Sequence, residues 1–116
     1  METIYWKPFT AESRKHQLQE GPGLITTFRK GTKWLKPELV GQTVQLVDEK
    51  DNSVFATAVV ASVKATRFGW IEQIDHNRQS GDMTPEARLD IMRKVYGDYD
   101  ADTLTTVVTL GSVEVV

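Results

Sequence analysis

Cations and an indole ring are interleaved in one short segment of the 116-residue chain. Arg29, Lys30 and Lys33 precede Trp34, and no acidic residue lies between Arg29 and Lys36. Such a combination binds single-stranded nucleic acid, because cations follow the phosphate backbone and an aromatic ring stacks on a base. The segment therefore predicts a nucleic-acid contact. The alternative is a solvated basic loop whose tryptophan packs on the core.

The same pattern occurs again further along the chain, where Lys64 and Arg67 lie beside Phe68 and Trp70. If both segments border one opening, two aromatic rings flank a cationic floor. Within that floor the planar guanidinium of Arg29 suits a phosphate, which it can hold through two parallel hydrogen bonds. The alternative for Arg29 is a salt bridge to a nearby acid. The predicted ligand-binding cleft is lined by Arg29, Lys30, Lys33, Trp34, Arg67 and Trp70.

The two histidines, His16 and His76, do not form a metal-binding pattern with the scattered acids. We expect His76 to be a surface or loop residue, and we predict no metal and no other cofactor. The absence of cysteine excludes disulfides, thiolate zinc sites and a cysteine nucleophile, and it fits a cytoplasmic location. The first nine residues resemble neither a signal peptide nor a membrane span.

Composition predicts one folded domain over residues 1–116. Apolar residues make up 40% of the chain and charged residues 26%, which is typical of a globular protein. The formal net charge is −2. Acids gather near residues 48–51 and 98–102, away from the basic segment, so the small total charge is compatible with a basic face opposite an acidic one.

Local sequence signals predict a helix, a strand, a basic loop, two strands, a polar link, a second helix and a last strand. The predicted helices cover residues 10–20 and about 85–96, the second opened by Thr84 as N-cap and ended by Gly97. The predicted strands cover residues 24–29, 43–47, 53–64 and 104–110. The short hairpin turn at 48–52 favours a mixed, strongly curled sheet, so the predicted fold class is α+β.

This order and spacing resemble the ASCH domains of the PUA-like superfamily. The resemblance rests on Thr27-Phe28-Arg29 at the end of a strand, on residues 41–44 at the entry to another, on residues 60–63 in the long strand, and on the capped helix before the last strand. It covers about residues 24–110. It implies a small β-barrel with a cleft that binds RNA. Some members hydrolyse acetylated cytidine, and others are reported to cut RNA.

The family motif is a lysine three residues before a threonine that is followed, two residues later, by an arginine. Thr27 and Arg29 match its last two positions, whereas Leu24 occupies the lysine position. The family also carries a carboxylate in the polar link, where this chain has Glu72, Asp75 and Asp82. The resemblance thus implies a catalytic set of Thr27, Glu72 and Asp82, with Lys30 or Lys33 as a substitute for the missing lysine.

Three functions follow as alternatives. The first is a module that binds single-stranded RNA or a nucleotide in a basic, aromatic-lined cleft. The second is a small amidohydrolase acting on a modified nucleoside, or a ribonuclease. The third is an interaction or regulatory protein with a degenerate site, which the leucine at position 24 favours. No membrane partner is predicted, and the oligomeric state is left open.

Overall fold

The computed structural model describes residues 1–21, 23–79 and 83–116, with the side chains of residues 8 and 9 excepted. The elements in chain order are β1 (Glu2–Trp6), α1 (Pro8–Gln19), β2 (Ile25–Lys30), β3 (Thr43–Asp48), β4 (Ser53–Arg67), α2 (Gln73–Arg78), α3 (Pro85–Tyr96) and β5 (Leu104–Val115). Single 3₁₀ turns lie at Pro37–Leu39 and Phe68–Trp70. No helix among the described residues is long and apolar enough to span a membrane.

The five strands form one curled, half-barrel sheet in the order β1-β3-β4-β5-β2. β1 is parallel to β3, and the other pairs are antiparallel. The predicted α+β class with a mixed, curled sheet is therefore confirmed. β1 and α2 were missed, because β1 has only five residues and α2 lies within the polar link.

Two irregularities in the long β4–β5 pair help to curl the sheet. In β4, Ala61 is an extra residue between the pairs Val60–Leu110 and Ser62–Thr109. In β5 an extra residue lies near Ser112, whose φ of 47° is left-handed. Bulges of this kind bend a strand and increase its twist. The strand predicted over residues 53–64 has twelve residues, whereas β4 has fifteen.

The core consists of two apolar clusters on the two sides of β2. The larger one includes Ile4, Leu46, Val60 and Leu110 and lies inside the curled sheet. The smaller one joins the sheet to α3 and consists of Phe28, Phe68, Ile71, Met92, Tyr99 and Val107, all buried. Because β2 is covered on both sides, its first four residues are buried in succession.

The helix α3 begins and ends as predicted. Thr84 Oγ1 accepts a hydrogen bond from the Ala87 amide at 3.2 Å, Pro85 is the first helical residue, and Gly97 ends the helix with a φ of 84°. On this helix Arg88 and Met92 are buried, whereas Ala87 is exposed.

Candidate functional site

A well-formed cavity lies where α1 and α3 meet the two edge strands, β1 and β2. Its volume is about 380 Å³, within the usual range for pockets that hold small ligands, about 300–1,000 Å³. We call it the arginine pocket. It is lined by Tyr5, Trp6, Lys7, Thr10, Ser13, Arg14, Thr27, Phe28, Arg29, Glu49, Gln79, Met83, Arg88, Ile91, Met92, Val95 and Tyr96.

Arg29 connects the two edges of the half-barrel at this pocket. Its Nη1 donates to the Tyr5 carbonyl oxygen of β1 at 2.7 Å, and its Nε donates to the Thr27 hydroxyl at 3.0 Å. The guanidinium carbon is 4.9 Å from the centroid of the Trp6 ring, a cation–π distance. Burial lowers the pKa of Arg29, although Tyr96 and Glu49 favour its charged form. The predicted pair Thr27 and Arg29 is thus brought together in one pocket.

Arg14 is a second cation of the pocket and is only 1% exposed. Its terminal nitrogens donate to the Gln17 side chain, to the Thr26 carbonyl oxygen and to the Gln79 side chain. Its Nε is buried and has no hydrogen-bond partner among the described residues. Burial, followed by repulsion from Arg29 and Arg88, lowers the pKa of Arg14 to about 9.

Arg88 of α3 is the third guanidinium in the lining and is 3% exposed. Burial lowers its pKa to about 10. At the edge of the pocket, the half-exposed Lys7 and Glu49 form an ion pair of 3.0 Å. In the part of the chain that the structure describes, neither Arg14 nor Arg29 has a carboxylate within 4 Å. Neighbouring cations without a carboxylate partner attract anions.

Sequence reasoning missed Arg14 and Arg88, although the sequence does contain a signal for each. Arg14 lies three residues after Ala11 and four before Leu18, so it belongs to the buried stripe of α1. Arg88 lies four residues before the buried Met92 in α3. At such a position the arginine side chain faces the core. A buried cation is costly unless an anionic side chain or a bound ligand compensates its charge.

The two predicted aromatic loops lie outside the arginine pocket. Trp34 is half-buried and packs on the larger core cluster, with Lys36 Nζ 5.8 Å from its ring centroid. Trp70 is 69% exposed, and the guanidinium carbon of Arg67 is 5.0 Å from its ring centroid. The expected convergence of these loops on one cleft is therefore wrong for this pocket: Lys30, Lys33, Trp34, Arg67 and Trp70 do not line it.

The basic side chains of these loops have other partners or face solvent. Lys30 Nζ donates to the Asp98 carbonyl oxygen at 3.0 Å, and Arg67 lies 3.8 Å from the Asp102 carboxylate. Lys33 is exposed. Neither Lys30 nor Lys33 is placed to substitute for the motif lysine. Leu24, which occupies the lysine position, is 38% exposed and lies against Gly111.

The carboxylates of the implied catalytic set are not assembled around Thr27. Glu72 is exposed at the start of α2 and does not line the pocket, and Asp82 lies outside the described residues. Asp75 is buried and pairs with Lys64 at 2.8 Å. The carboxylate that does line the pocket is Glu49, which sequence reasoning did not single out.

His76 is buried, and its prediction as a surface or loop residue is wrong. It is 3% exposed in α2, and its ring packs edge-on against Phe28 and Phe68 with centroid distances of 5.3 and 5.5 Å. Burial, together with the nearby Arg88, lowers the pKa of His76 and so favours its neutral form. Among the described residues, no group of three or more histidine or acidic side chains is placed to hold a metal ion.

The fold is that of a half-barrel α+β domain with an anion-attracting pocket between its edge strands. No family model and no curated protein matches the sequence. The fold is similar to an ASCH domain from Lactobacillus crispatus, with a TM-score of 0.63 and 10% identity over 95% of this chain and 77% of that chain. It is also similar to a DUF984 protein from Enterococcus faecalis, with a TM-score of 0.62 and 13% identity over 100% of this chain and 76% of that one. The chain has the ASCH-like fold that the sequence resemblance predicted.

Proposed function

We propose that this ASCH-like domain binds RNA or a nucleotide in the arginine pocket. The observation that carries the proposal is the meeting of Arg14 and Arg29, two cations without a carboxylate partner among the described residues, in a pocket with aromatic walls. Guanidinium groups hold phosphate through charge-assisted hydrogen bonds. Tyr5, Tyr96 and the apolar side chains of α3 offer surface for a nucleoside.

Binding affinity in this pocket should depend less strongly on salt than affinity in the basic, aromatic-lined cleft that the sequence predicted. Each phosphate contact on a single strand contributes a slope of about −0.7 to the plot of log affinity against log salt. A pocket with two available arginines contacts one or two phosphates. The expected slope is therefore shallow, no steeper than about −1.4.

Binding of a fluorescein-labelled single-stranded RNA, followed by anisotropy between about 50 and 200 mM salt, tests the proposal. Arg29→Gln is expected to weaken binding about tenfold, because a charge-assisted hydrogen bond is lost. Lys33→Gln is the charge-matched control outside the pocket and is expected to bind as the unchanged protein does. Absence of binding to RNA and nucleotides at low salt would contradict the proposal, as would equal losses in the two variants.

A second candidate function is hydrolysis of a modified nucleoside, which the position of Thr27 favours. The Thr27 hydroxyl belongs to the pocket lining and accepts a hydrogen bond from the Arg29 cation, which stabilises negative charge on that oxygen. Glu49 is the described carboxylate in the same lining. With N4-acetylcytidine as substrate, this candidate predicts release of acetate.

Thr27→Ala is expected to abolish that turnover, and Glu49→Gln to reduce it about a hundredfold if Glu49 transfers the proton. Thr66→Ala, at a half-buried position of β4 outside the pocket lining, is the matched control. Chromatography of substrate and product gives the rate. Unchanged acetylcytidine at high protein concentration would exclude this candidate and leave the binding proposal intact. Failure of both assays would favour the interaction protein with a degenerate site.

A further inference from the structure

The two cations without a carboxylate partner in the arginine pocket differ from ordinary surface charges in their depth. Arg14 is 1% exposed, and its buried Nε has no hydrogen-bond partner among the described residues. The guanidinium carbons of Arg14 and Arg29 are 5.5 and 4.9 Å from the centroid of the same Trp6 ring. The pocket lining therefore brings two positive charges together beside the Trp6 ring, and a ligand meets both only by entering.

The charge of the ligand group can be matched to these cations. A phosphate monoester carries about 1.5 to 2 negative charges at neutral pH and three strong acceptor oxygens. A phosphodiester inside a strand carries a single charge and two free oxygens. A monoester therefore neutralises both guanidinium groups, whereas a diester leaves one cation buried without compensation, which is costly.

The size of the pocket favours the end of a ligand over the middle of a strand. Its volume of about 380 Å³ is near the lower limit for small-molecule sites, about 300 Å³. An internal phosphate has a nucleoside on each side, and both would have to enter before the phosphate reached Arg14. A terminal phosphate brings only one.

Resting on the proposed function, we infer that the arginine pocket recognises a terminal phosphate monoester, carried by a free mononucleotide or by an RNA end. Arg14 and Arg29 hold the phosphate, and the aromatic and apolar wall formed by Tyr96 and Val95 holds the adjoining nucleoside. The strand beyond that nucleotide remains outside.

Titration calorimetry with three ligands that differ only at the phosphate tests this inference. The ligands are uridine, uridine 5′-monophosphate and the methyl phosphodiester of uridine 5′-monophosphate. We expect the monophosphate to bind at least about tenfold more tightly than the other two, because it alone neutralises both cations. Equal affinity of the monophosphate and its methyl ester would overturn the inference.

A second set of ligands distinguishes an RNA end from a free mononucleotide as the source of the phosphate. It also distinguishes failure of this inference from failure of the proposed function. One pentanucleotide RNA is compared with a 5′-phosphate, with a 3′-phosphate and with hydroxyl groups at both ends. Preference for either phosphorylated end over the unphosphorylated RNA supports end recognition, and tight binding of uridine 5′-monophosphate alone indicates a free nucleotide. If all three RNAs bind with the same measurable affinity, the inference is overturned but the proposed function stands. If inorganic phosphate binds but no nucleotide and no RNA does, both the inference and the proposed function are overturned.

A carboxylate placed in the pocket gives a test that preserves the arginines. Ser13 is half-buried on α1 and lines the pocket, so Ser13→Glu supplies an internal counter-ion. We expect this variant to lose binding of uridine 5′-monophosphate and to gain thermal stability without ligand. Ser13→Gln has similar bulk and no charge, and it should bind at least about tenfold more tightly than Ser13→Glu. Equal affinity of the two variants would overturn the inference. If either variant fails to fold, the three uridine ligands measured on the unchanged chain still test whether the pocket prefers a phosphate monoester.

Discussion

Arg14 has an unusual position for a cation, because it occupies the buried stripe of α1. Three acceptors hold its terminal nitrogens, namely the Gln17 side chain, the Thr26 carbonyl oxygen and the Gln79 side chain. These bonds fix the guanidinium in place without neutralising it. Its pKa, lowered from the ordinary arginine value to about 9, expresses the cost of keeping this charge buried beside Arg29 and Arg88.

The lowered pKa of Arg14 predicts how ligand binding depends on pH. Phosphate monoesters are almost fully dianionic above about pH 7. Uracil loses its N3 proton between about pH 9 and 10, whereas cytosine loses none in that range, so with cytidine 5′-monophosphate a loss of affinity at higher pH reports the protein rather than the ligand. Arg14 releases its proton in the free pocket near pH 9, which removes one of the two positive charges. We expect the affinity for cytidine 5′-monophosphate to be constant from about pH 7.5 to 8.5 and to fall between about pH 9 and 10.

Calorimetry across this range measures the effect, with added NaCl keeping the ionic strength constant. The change in stability of the free protein over this range depends on every group that titrates there, so Arg14 alone does not determine it. For Arg14, the unfolded chain binds more protons than the folded one above about pH 9, so its contribution to the free energy of unfolding rises with pH. An affinity that stays constant to pH 10 would show that Arg14 does not hold the phosphate.

The helix α3 is the element that carries Arg88 and the apolar wall to the pocket. Its first turn is fixed by Thr84, whose hydroxyl accepts from the Ala87 amide. Thr84→Ala should lower the free energy of unfolding by about 1 kcal/mol, because the amide loses its partner. Thr84→Ser keeps the hydroxyl and should change stability by less than about 0.5 kcal/mol.

Urea denaturation of the two variants measures this difference. The loss should appear at the midpoint with the slope unchanged, since the surface exposed on unfolding is the same. Equal stability of the alanine and serine variants would mean that the hydroxyl does not stabilise the helix start.

The strand β2 shows why some elements were predicted more accurately than others. Its residues are β-branched or aromatic from Ile25 to Phe28, so local preference and burial agree, and the predicted strand differs from the observed one by one residue at each end. In the polar link the local signals were weak. No amphipathic pattern indicated the helix α2. Its contact with the rest of the fold is made by its buried residues, Asp75 and His76.

At the scale of the whole molecule, the pocket is produced by bringing together the two ends of the sheet. β1 and β2 are the first and last strands in the sheet order, and the bond from Arg29 to the Tyr5 carbonyl oxygen connects them. The helices α1 and α3 add the other walls. The buried cations of this pocket destabilise the free protein, and an anion that binds there should stabilise the fold.

Inorganic phosphate is therefore expected to raise the melting temperature more than NaCl of the same ionic strength does. A ligand present at about a hundredfold over its dissociation constant adds about 2.7 kcal/mol to the free energy of unfolding. In a domain of this size that corresponds to a shift of several degrees, since about 1 kcal/mol shifts the midpoint by roughly 4 °C. Thermal unfolding followed by circular dichroism measures the shift, and equal effects of phosphate and chloride would contradict an anion site.

The class of fold and the local elements follow from the order of residues along the chain. Alternating and β-branched residues specify β2 to β5, Thr84, Pro85 and Gly97 specify α3, and the order of elements led to the ASCH-like fold. It also identified Thr27 and Arg29, which do line the pocket. These features depend on neighbours within a few residues, which a sequence displays directly.

Only the tertiary structure decided which cations meet. The basic segment before Trp34 is prominent in the sequence, yet its side chains face solvent, pack on the core or bond to the Asp98 carbonyl. Arg14 and Arg88 are inconspicuous in two polar helices, yet both are buried beside Arg29. Charge spacing along the chain does not reveal this, because the curl of the sheet and the docking of α1 and α3 set the distances between residues far apart in sequence.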